Sequence, residues 1–323
     1  IVREQNNKSA SAQIFAMDTY MELTAYGKNA EEAVGAAKDE IERLDALLST
    51  GNEKSEIGQL NKNKKGQISA DTQYLLNRSF TIYEETDGTF DITIYPVMRA
   101  WGFTGEEHRI PSEEELQSLL QLVDASSLQY DASTQTLTLP EGVEIDFGGI
   151  AKGYTSQRVA QIMQEYDINS AILNLGGNVQ LVGAKPDGSS WKVAIKSPDE
   201  QEEYLGVLSA QNKAIITSGG YERYFEENGR KYHHIIDPKT GIPAYNGLQS
   251  VTIVSEDGTL ADGLSTALYV MGTESAVKFW QNHSDEFDAI LYTDDGNLYV
   301  TEGIADTFTS SHSITVLEKA VAF

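Results

Sequence analysis

The first quarter of the chain shows both the two-residue and the three-to-four-residue spacing of apolar side chains. Residues 13–26 alternate between apolar and polar side chains, which predicts a strand. Between residues 30 and 48 the apolar positions recur every three or four residues, which predicts an amphipathic helix with Asn29 as its N-cap. Ser69 stands where it can cap a second helix over residues 70–86. A strand followed by two helices is therefore expected at this end.

The middle of the chain combines two further helix signals with a strand pair. Ser112 and Glu115 form a capping box for a third helix. Residues 136–139 and 143–145 are predicted to be two strands joined by a Pro-Glu-Gly turn. A further helix is expected over residues 151–166.

The second half is rich in short apolar runs separated by Gly, Pro and Asp. These runs predict strands at 171–175, 179–182, 191–195, 205–208, 214–217, 232–236, 250–254, 289–292 and 297–301, with helices at 260–271 and 273–282. The expected class is α+β, with helices packed on antiparallel sheets. Because no repeat or linker interrupts the pattern, a polar tether at 1–12 and a single domain at 13–323 are expected.

Composition excludes several kinds of site. The 323 residues include no Cys, so a disulfide framework, a zinc ribbon, an iron–sulfur centre and a thiol nucleophile are all excluded. The 49 acidic and 24 basic side chains give a net charge of −25, which argues against binding nucleic acid or an anionic membrane. A phosphorylated small molecule remains compatible if a metal ion or a helix N-terminus supplies local positive potential.

A glycine-rich string at 146–154 (DFGGIAKGY) joins the end of an apolar run to a predicted helix. Its glycines allow close backbone approach, and Lys152 adds an ammonium near the positive end of that helix. A phosphate site and a plain tight turn with Lys152 on the surface fit this string equally well.

Four other local patterns have both a functional and a structural interpretation. Residues 174–178 (NLGGN) and 217–221 (TSGGY) follow apolar strands and fit ordinary turns. Asp262 and Thr266 are four residues apart, so on a helix they share one face and could bind a hard cation such as Mg²⁺. Without further context the spacing favours the structural interpretation, in which Asp262 stabilises the start of that helix and Thr266 is structural. His234 and Asp237 could orient each other for acid–base work, or Asp237 could bond its own turn.

In chain order these strings resemble the ApbE family of FAD:protein FMN transferases. The resemblance rests on Met17 and Thr19, Ser55-Glu56-Ile57 with Leu60-Asn61, Phe90-Asp91-Ile92-Thr93 with Pro96 and Trp101-Gly102-Phe103, the strings at 146–154 and 174–178, Thr217-Ser218-Gly219, the string at 234–241 (HIIDPKTG), and Ala261-Asp262 with Ser265-Thr266. The resemblance covers nearly the whole chain from about residue 13.

The resemblance implies a two-lobed α+β structure with a nucleotide cleft between the lobes. Such enzymes bind FAD with Mg²⁺, split its pyrophosphate, and transfer FMN to a Thr or Ser hydroxyl of an acceptor flavoprotein, releasing AMP. By the same resemblance, the metal ligands are the main-chain carbonyl of Ala151, the Asp262 carboxylate and the Thr266 hydroxyl, with Ser265 as a further ligand. Mn²⁺ suits the same oxygen donors.

The resemblance also suggests roles for the remaining site residues. His234 is expected to be the base that takes the acceptor proton or the residue that positions that base, with Asp237 nearby. Lys152 and the N–H groups of residues 148–154 are expected at the phosphates. The lining of the FAD site is expected to include Met17, Thr89, Phe90, Asp91, Gly148, Tyr154, Gly177, Asn178, His234 and Ile236. Asp91 and Asp146 are either hydrogen-bond acceptors for the nucleotide or turn residues.

One position departs from the family pattern. Gly51-Asn52 stands where the family often has an aromatic residue, which could stack on the nucleotide. A more open site edge leaves hydrolysis as an alternative to transfer, which would make the protein a Mg²⁺-dependent FAD pyrophosphatase. A separate alternative is a non-catalytic FAD-binding lipoprotein. The location expected for the protein is extracytoplasmic, with membrane anchoring through an N-terminal segment.

Overall fold

The computed structural model describes residues 8–105 and 107–320. Its helices are α1 (Ala30–Leu48), α2 (Glu56–Asn63), α3 (Ala70–Glu85), α4 (Tyr95–Trp101), α5 (Glu113–Leu120), α6 (Ala151–Glu165), α7 (Gly258–Met271), α8 (Thr273–Asn282) and α9 (Glu302–Ala305). Its strands are β1 (Ser9–Ala16), β2 (Thr19–Tyr26), β3 (Lys65–Gln67), β4 (Gln129–Asp131), β5 (Thr136–Thr138), β6 (Ser170–Leu175), β7 (Asn178–Gly183), β8 (Trp191–Lys196), β9 (Tyr204–Ala210), β10 (Ala214–Gly219), β11 (Tyr224–Glu227), β12 (Arg230–His233), β13 (Leu248–Ser255), β14 (Asp288–Thr293), β15 (Leu298–Thr301), β16 (Phe308–Thr309) and β17 (Ile314–Leu317).

A nine-stranded sheet forms the centre of the molecule. Its order is β1-β2-β6-β7-β10-β13-β14-β15-β17, and within the described residues β15 and β17 form its one parallel pair. Helices α1 and α6 cover one face at β1, β2 and β6, and α7 covers the same face at β10 and β13. A second sheet, ordered β16-β9-β8, packs on the opposite face. The expected α+β class is confirmed.

The start of the chain is a hairpin rather than a tether and one strand. Residues 9–12 belong to β1 and pair with residues 23–26 of β2, so the tether prediction is wrong for them. Residues 1–7 lie outside the described residues. The predicted strand over 13–26 is broken by a turn in which Met17 and Asp18 adopt φ of 51° and 56°. The apolar–polar alternation over residues 13–26 does not reveal this turn, because β1 and β2 place their apolar side chains on the same face of the sheet.

Side-chain capping decides which helix starts were predicted correctly. Ser69 and Ser112 accept hydrogen bonds from the N–H groups of Thr72 and Glu115, as the sequence predicts. Asn29 does not cap α1, because its amide donates instead to the Tyr166 carbonyl at 3.0 Å. Helix α2 was not predicted from the sequence, although Ser55 caps it by accepting from the Gly58 N–H at 2.9 Å.

Two predicted strands differ from the structure. Residues 143–145 form no strand, and β5 pairs instead with both β3 and β4. The strand expected at 232–236 ends at His233, beyond which Ile236 makes an isolated bridge to Pro243. No helix in the described part of the chain has the length and apolar character needed to cross a bilayer.

Candidate active site

A cavity of about 2140 Å³ opens where the two halves of the chain meet at the sheet. Its wall includes the β1–β2 turn, the β6–β7 turn and the facing ends of α6 and α7. The predicted site residues on this wall are Met17, Thr89, Phe90, Asp91, Gly148, Ala151, Lys152, Gly177, Asn178, His234, Ile236, Asp262 and Thr266. Three predicted residues are not on it, namely Tyr154, Asp237 and Ser265.

Helices α6 and α7 touch at Gly153. A Cβ built on Gly153 would lie 2.1 Å from the Gly258 carbonyl oxygen and 2.5 Å from Cβ of Asp262. Only glycine permits this approach, since both contacts are far inside van der Waals distance. The close approach allows the Gly153 N–H to donate to Oδ2 of Asp262 at 2.8 Å. The carboxylate is thereby held at the first turn of α6.

Ala151, Asp262 and Thr266 line the cavity at this junction and can offer a carbonyl, a carboxylate and a hydroxyl oxygen. The Ala151 carbonyl also accepts from the Thr155 hydroxyl at 2.8 Å. Burial raises the pKa of Asp262 to about 6, against the opposing effects of the Gly153 N–H and the Lys152 ammonium. A buried carboxylate with a raised pKa lacks sufficient positive charge around it, which a divalent cation would supply. Carbonyl, carboxylate and hydroxyl oxygens are also the ligands that Mg²⁺ prefers. The residues therefore fit a Mg²⁺ ion.

Ser265 differs from the expected further ligand. It is fully buried, and its hydroxyl donates to the Asp262 carbonyl at 2.7 Å. Its oxygen also lies 2.8 Å from the Ser218 hydroxyl on β10. The Ser265 side chain thus ties α7 to the sheet behind the site.

Of the phosphate-binding groups predicted at 148–154, the structure leaves Lys152 and only a few of the backbone N–H groups available to a ligand. Gly148 donates to Asp146, Ile150 and Ala151 donate to the Phe147 carbonyl, and Gly153 donates to Asp262. Because these N–H groups already have partners, they do not form an open anion cradle. Lys152 lines the cavity and acts electrostatically on Asp146, Glu222, His234 and Asp262.

His234 lies on the cavity wall with its ring oriented by the backbone. Its Nδ1 is 3.1 Å from the Arg223 carbonyl, so Nδ1 carries the proton and Nε2 is left as an acceptor. Burial, followed by the Arg223 charge, lowers the pKa of His234 to about 4. The imidazole is therefore neutral at neutral pH, as a general base must be.

Asp237 does not orient His234. No hydrogen bond among the described residues joins the two side chains, and Oδ1 of Asp237 accepts from the Lys239 N–H at 2.9 Å. The Asp237 N–H donates to the Ile242 carbonyl. The structural interpretation of this aspartate, a turn that bonds itself, is the one the geometry supports.

Tyr154 is directed away from the cavity. Its hydroxyl donates to Oδ1 of Asp71 at 2.5 Å, and its ring packs against Tyr74 with centroids 5.3 Å apart. The phenol joins α6 to α3 rather than meeting the nucleotide.

Residues 89–91 form part of the wall in three different ways. The Thr89 hydroxyl is buried without a hydrogen-bond partner in the described structure, which makes it available to a ligand. Phe90 packs beside Gly149, where a Cβ would lie 3.1 Å from its ring. Asp91 lines the cavity and its carboxylate accepts from the N–H groups of Thr93 and Ala125, as a turn residue does.

The glycine turn at 174–178 is both a hairpin and a wall of the cavity. Gly176 and Gly177 have φ of 62° and 108°, and they connect the paired residues Leu175 and Asn178. Oδ1 of Asn178 accepts from the Thr217 N–H at 3.0 Å, which fixes the start of β7 to β10. The string at 174–178 is therefore both an ordinary hairpin turn and part of the candidate site.

Sequence reasoning missed three charged residues: Glu222 and Arg223, which follow the TSGGY string, and Lys196 at the end of β8. Glu222, Arg223 and Lys196 all line the cavity. Burial raises the pKa of Glu222 to about 7, opposed by Lys152 and then Lys196. The available signal was an adjacent Glu-Arg pair directly after a glycine-rich strand end, where side chains commonly reach a site.

The position that departs from the family pattern lies at the edge of the cavity. Gly51 and Asn52 both line it, and a Cβ built on Gly51 would meet nothing within 4 Å. The neighbouring Thr50 hydroxyl donates to the buried Asp146 at 2.5 Å. The cavity edge at Gly51 therefore has space for a larger side chain.

Comparison with known proteins gives a consistent result. The model of the ApbE family matches residues 17–291. An FAD:protein FMN transferase of Haemophilus influenzae is 30% identical over 285 residues, covering 85% of this chain and 82% of that protein. An FAD:protein FMN transferase of Vibrio cholerae is 32% identical over 263 residues, covering 79% of this chain and 78% of that protein.

Solved structures show the same architecture. The ApbE protein of Thermotoga maritima superposes with a TM-score of 0.85 at 32% identity, covering 92% of this chain and 98% of that one. The flavin transferase ApbE of Vibrio cholerae superposes with a TM-score of 0.83 at 26% identity, covering 93% of this chain and 99% of that one.

Proposed function

The chain belongs to the ApbE family, and from this membership and the cavity we propose that it is an FAD:protein FMN transferase. The substrate is FAD, and the acceptor is a Thr or Ser hydroxyl of a flavoprotein subunit or domain. The acceptor oxygen forms a bond to the phosphorus on the FMN side of the pyrophosphate. The bridging P–O bond breaks, and AMP leaves with that oxygen.

The observation that carries this proposal is the junction of α6 and α7. There one buried carboxylate, one lysine and one neutral imidazole line the same cavity. Oxygen donors from Ala151, Asp262 and Thr266 would hold Mg²⁺, which when bound neutralises charge on the pyrophosphate. Ser265 is better explained as a support for α7 than as a ligand.

The residues of the chain supply the other parts of the reaction. Lys152 stabilises the negative charge that develops on the phosphoryl oxygens. Nε2 of His234 takes the proton of the attacking hydroxyl, since the lowered pKa leaves the ring neutral and able to accept at neutral pH. Arg223 orients that ring through its carbonyl oxygen.

A second candidate function is hydrolysis of FAD to FMN and AMP at the same site. The observation that favours it is the open edge at Gly51, where no side chain closes the cavity. Water reaching the phosphorus would replace the acceptor hydroxyl. We also propose an extracytoplasmic location with an N-terminal membrane anchor, to be tested by fractionating cells that express the full-length protein.

Transfer is tested by incubating the protein with FAD, Mg²⁺ and a panel of purified flavoprotein domains, followed by intact-mass spectrometry. A transferase adds the mass of one FMN to an acceptor and releases AMP in equal amount. A pyrophosphatase releases FMN and AMP without any acceptor. A yellow protein that binds FAD and releases no nucleotide would contradict both and leave the non-catalytic lipoprotein.

A further inference from the structure

The cavity is larger than a nucleotide site needs to be. Small-molecule sites typically occupy about 300–1,000 Å³, whereas this cavity has a volume of about 2140 Å³. The surplus extends away from the α6–α7 junction along β8, because all residues from Lys192 to Lys196 line the wall.

Strand β8 turns an unpaired edge toward this space. Among residues 8–105 and 107–320 it is the terminal strand of the β16-β9-β8 sheet and pairs with β9 alone. Its partner contributes only Tyr204 to the wall, which shows that β8 lies between β9 and the cavity. A strand edge that faces a cavity presents a row of backbone donors and acceptors to whatever enters it.

The surface beneath this edge is an uncovered part of the large sheet. The smaller sheet covers the face of β7, β10, β13 and β14 and reaches Ile172 of β6 and Tyr26 at the end of β2, whereas Phe15 and Tyr20 are not among the described residues packed against it. On the uncovered part the outward side chains of the hairpin include Phe15 and Tyr20, which are 69% and 57% exposed. Their rings form a pair with centroids 6.4 Å apart. Asn174 of β6 pairs with Glu22 and continues the same face, while Ile172 is already packed against the smaller sheet.

The two ends of β8 are placed by ring contacts. Trp191 at its start lies against Tyr26 at the far end of the hairpin, with ring centroids 6.3 Å apart. The Lys196 ammonium at its end lies 5.6 Å from the ring centre of Tyr221, which lines the reaction cavity. A chain lying along β8 therefore runs from the outer surface to the reaction centre.

We propose that β8 is the docking strand for the acceptor protein, and that it pairs with an extended segment of the acceptor next to the modified hydroxyl. The added strand would lie about 4.8 Å from β8 and about 10 Å above the large sheet, the usual spacings within and between sheets. Its inward side chains would cover Phe15 and Tyr20. Lys192 and Lys196 are exposed on β8, while Asp199, Glu200, Glu202 and Glu203 of the following loop line the same wall, so the groove carries charges of both signs.

This inference rests on the proposed transferase function, and it can be tested separately because the chain has no cysteine. Ala194→Cys places a thiol on the outward side of β8, and Thr315→Cys on the other edge strand, β17, is the matched control. A cysteine is then moved one residue at a time along the segment flanking the modified hydroxyl of the acceptor domain that wild type modifies. Disulfide yield is measured for each pairing.

Strand pairing predicts that Ala194→Cys crosslinks at alternate acceptor positions, while Thr315→Cys gives only background yield. Equal yields for the two variants, or yields with no two-residue alternation, would overturn the docking proposal while wild-type transfer remained intact. A disulfide-linked dimer of Ala194→Cys in place of acceptor crosslinks would assign this edge to a second copy of the chain. A wild-type protein that modifies no acceptor domain removes the proposed function and this inference together.

The aromatic pair gives an independent measurement. Phe15→Ser with Tyr20→Ser should raise the KM for the acceptor domain by about tenfold, since buried aromatic anchors dominate such contacts. FAD affinity and FAD cleavage should stay within about twofold, because neither ring lines the reaction cavity. Val316→Ser on β17, 46% exposed, is the matched control and should leave the acceptor KM unchanged. An unaltered acceptor KM in the double variant would contradict docking on this face.

Discussion

The imidazole of His234 is prepared as a base by its surroundings rather than by a neighbouring carboxylate. Its Nδ1 faces the Arg223 carbonyl, and burial together with the Arg223 charge lowers its pKa to about 4. Asp237, three residues later, takes no part because it bonds its own turn. The difference between the two residues can be measured directly.

His234→Ala should slow FMN transfer by about 100-fold or more, the usual contribution of a general base. FAD affinity should change little, and Asp237→Asn should retain transfer within about threefold. The measurement is the rate of formation of the FMN-modified acceptor in a single turnover, monitored by intact-mass spectrometry.

At saturating Mg²⁺ the wild-type transfer rate should stay constant from pH 8 toward pH 5 and fall near the His234 pKa of about 4. Equal losses in the two variants would argue against this assignment.

Asp262 makes metal binding depend on pH. Its pKa is raised to about 6 in the metal-free protein, so below this pH a proton competes with the cation. Mg²⁺ affinity measured by calorimetry should be constant above pH 7 and fall by about tenfold for each pH unit below 6. Asp262→Asn should abolish Mg²⁺ binding. Ser265→Ala should leave it intact and cost about 1 kcal/mol of unfolding free energy, since it removes only buried hydrogen bonds.

Gly51 controls how open the cavity edge is to water. Gly51→Tyr should fit without strain, because the space at its Cβ is empty. If water enters there, the new ring should stack on the nucleotide and lower acceptor-independent release of FMN and AMP several-fold. HPLC of the released nucleotides gives this rate. Faster release in Gly51→Tyr would contradict this account of the edge.

The spacing of residues in the sequence predicted one part of the site correctly, and geometry explains why it did not predict the rest. Asp262 and Thr266 share a helix face, as their four-residue separation predicts. Ser265 is rotated about 100° from Thr266 around the helix, so it points to the core instead. Glu222 and Arg223 reach the site from a loop, which has no periodic pattern to reveal them.

At the scale of elements, the contact between α6 and α7 determines the geometry of the reaction centre. Sequence periodicity predicted both helices and their approximate ends, but not that they touch at Gly153. The close approach of the two helices depends on the absence of a side chain at Gly153, and such an absence produces no pattern of apolar residues in the sequence. The starts of α3 and α5 were predictable because Ser69 and Ser112 act through neighbouring N–H groups. Asn29 does not cap α1 because its side-chain amide donates a hydrogen bond to the Tyr166 carbonyl, which lies far along the chain.

Gly153→Ala should destabilise the fold by about 1–3 kcal/mol or more, because its Cβ would overlap the Gly258 carbonyl. Metal affinity should fall as well, since the two helices must separate at Asp262. Gly35→Ala on α1 is the matched control. Its Cβ meets nothing within 4 Å, so a gain of roughly 0.5–1 kcal/mol is expected. Urea unfolding of both variants compares the two glycines, and similar midpoints would contradict the packing argument.

At the scale of the whole molecule, the net charge of −25 repels a pyrophosphate, and the cavity wall itself carries more acidic than basic side chains. With EDTA present, raising the ionic strength from about 0.01 M to 0.1 M shortens the Debye length from about 30 Å to 10 Å, which should tighten FAD binding. With saturating Mg²⁺ the same change should weaken it, because local attraction is then screened. Fluorescence titration of FAD measures both. The same salt response with and without metal would show that the ion does not dominate attraction.

The pairing of β2 with β6 has a consequence for the order in which the protein can be built. This pairing brings Tyr26 beside Ser170 and leaves the whole intervening stretch as a closed loop. Contacts this distant along the chain form slowly, because loop closure must precede them. While the ribosome is still short of β6, the inner edge of β2 has no partner and is exposed to self-association. The reaction centre is completed later still, since Asp262 is synthesised after both.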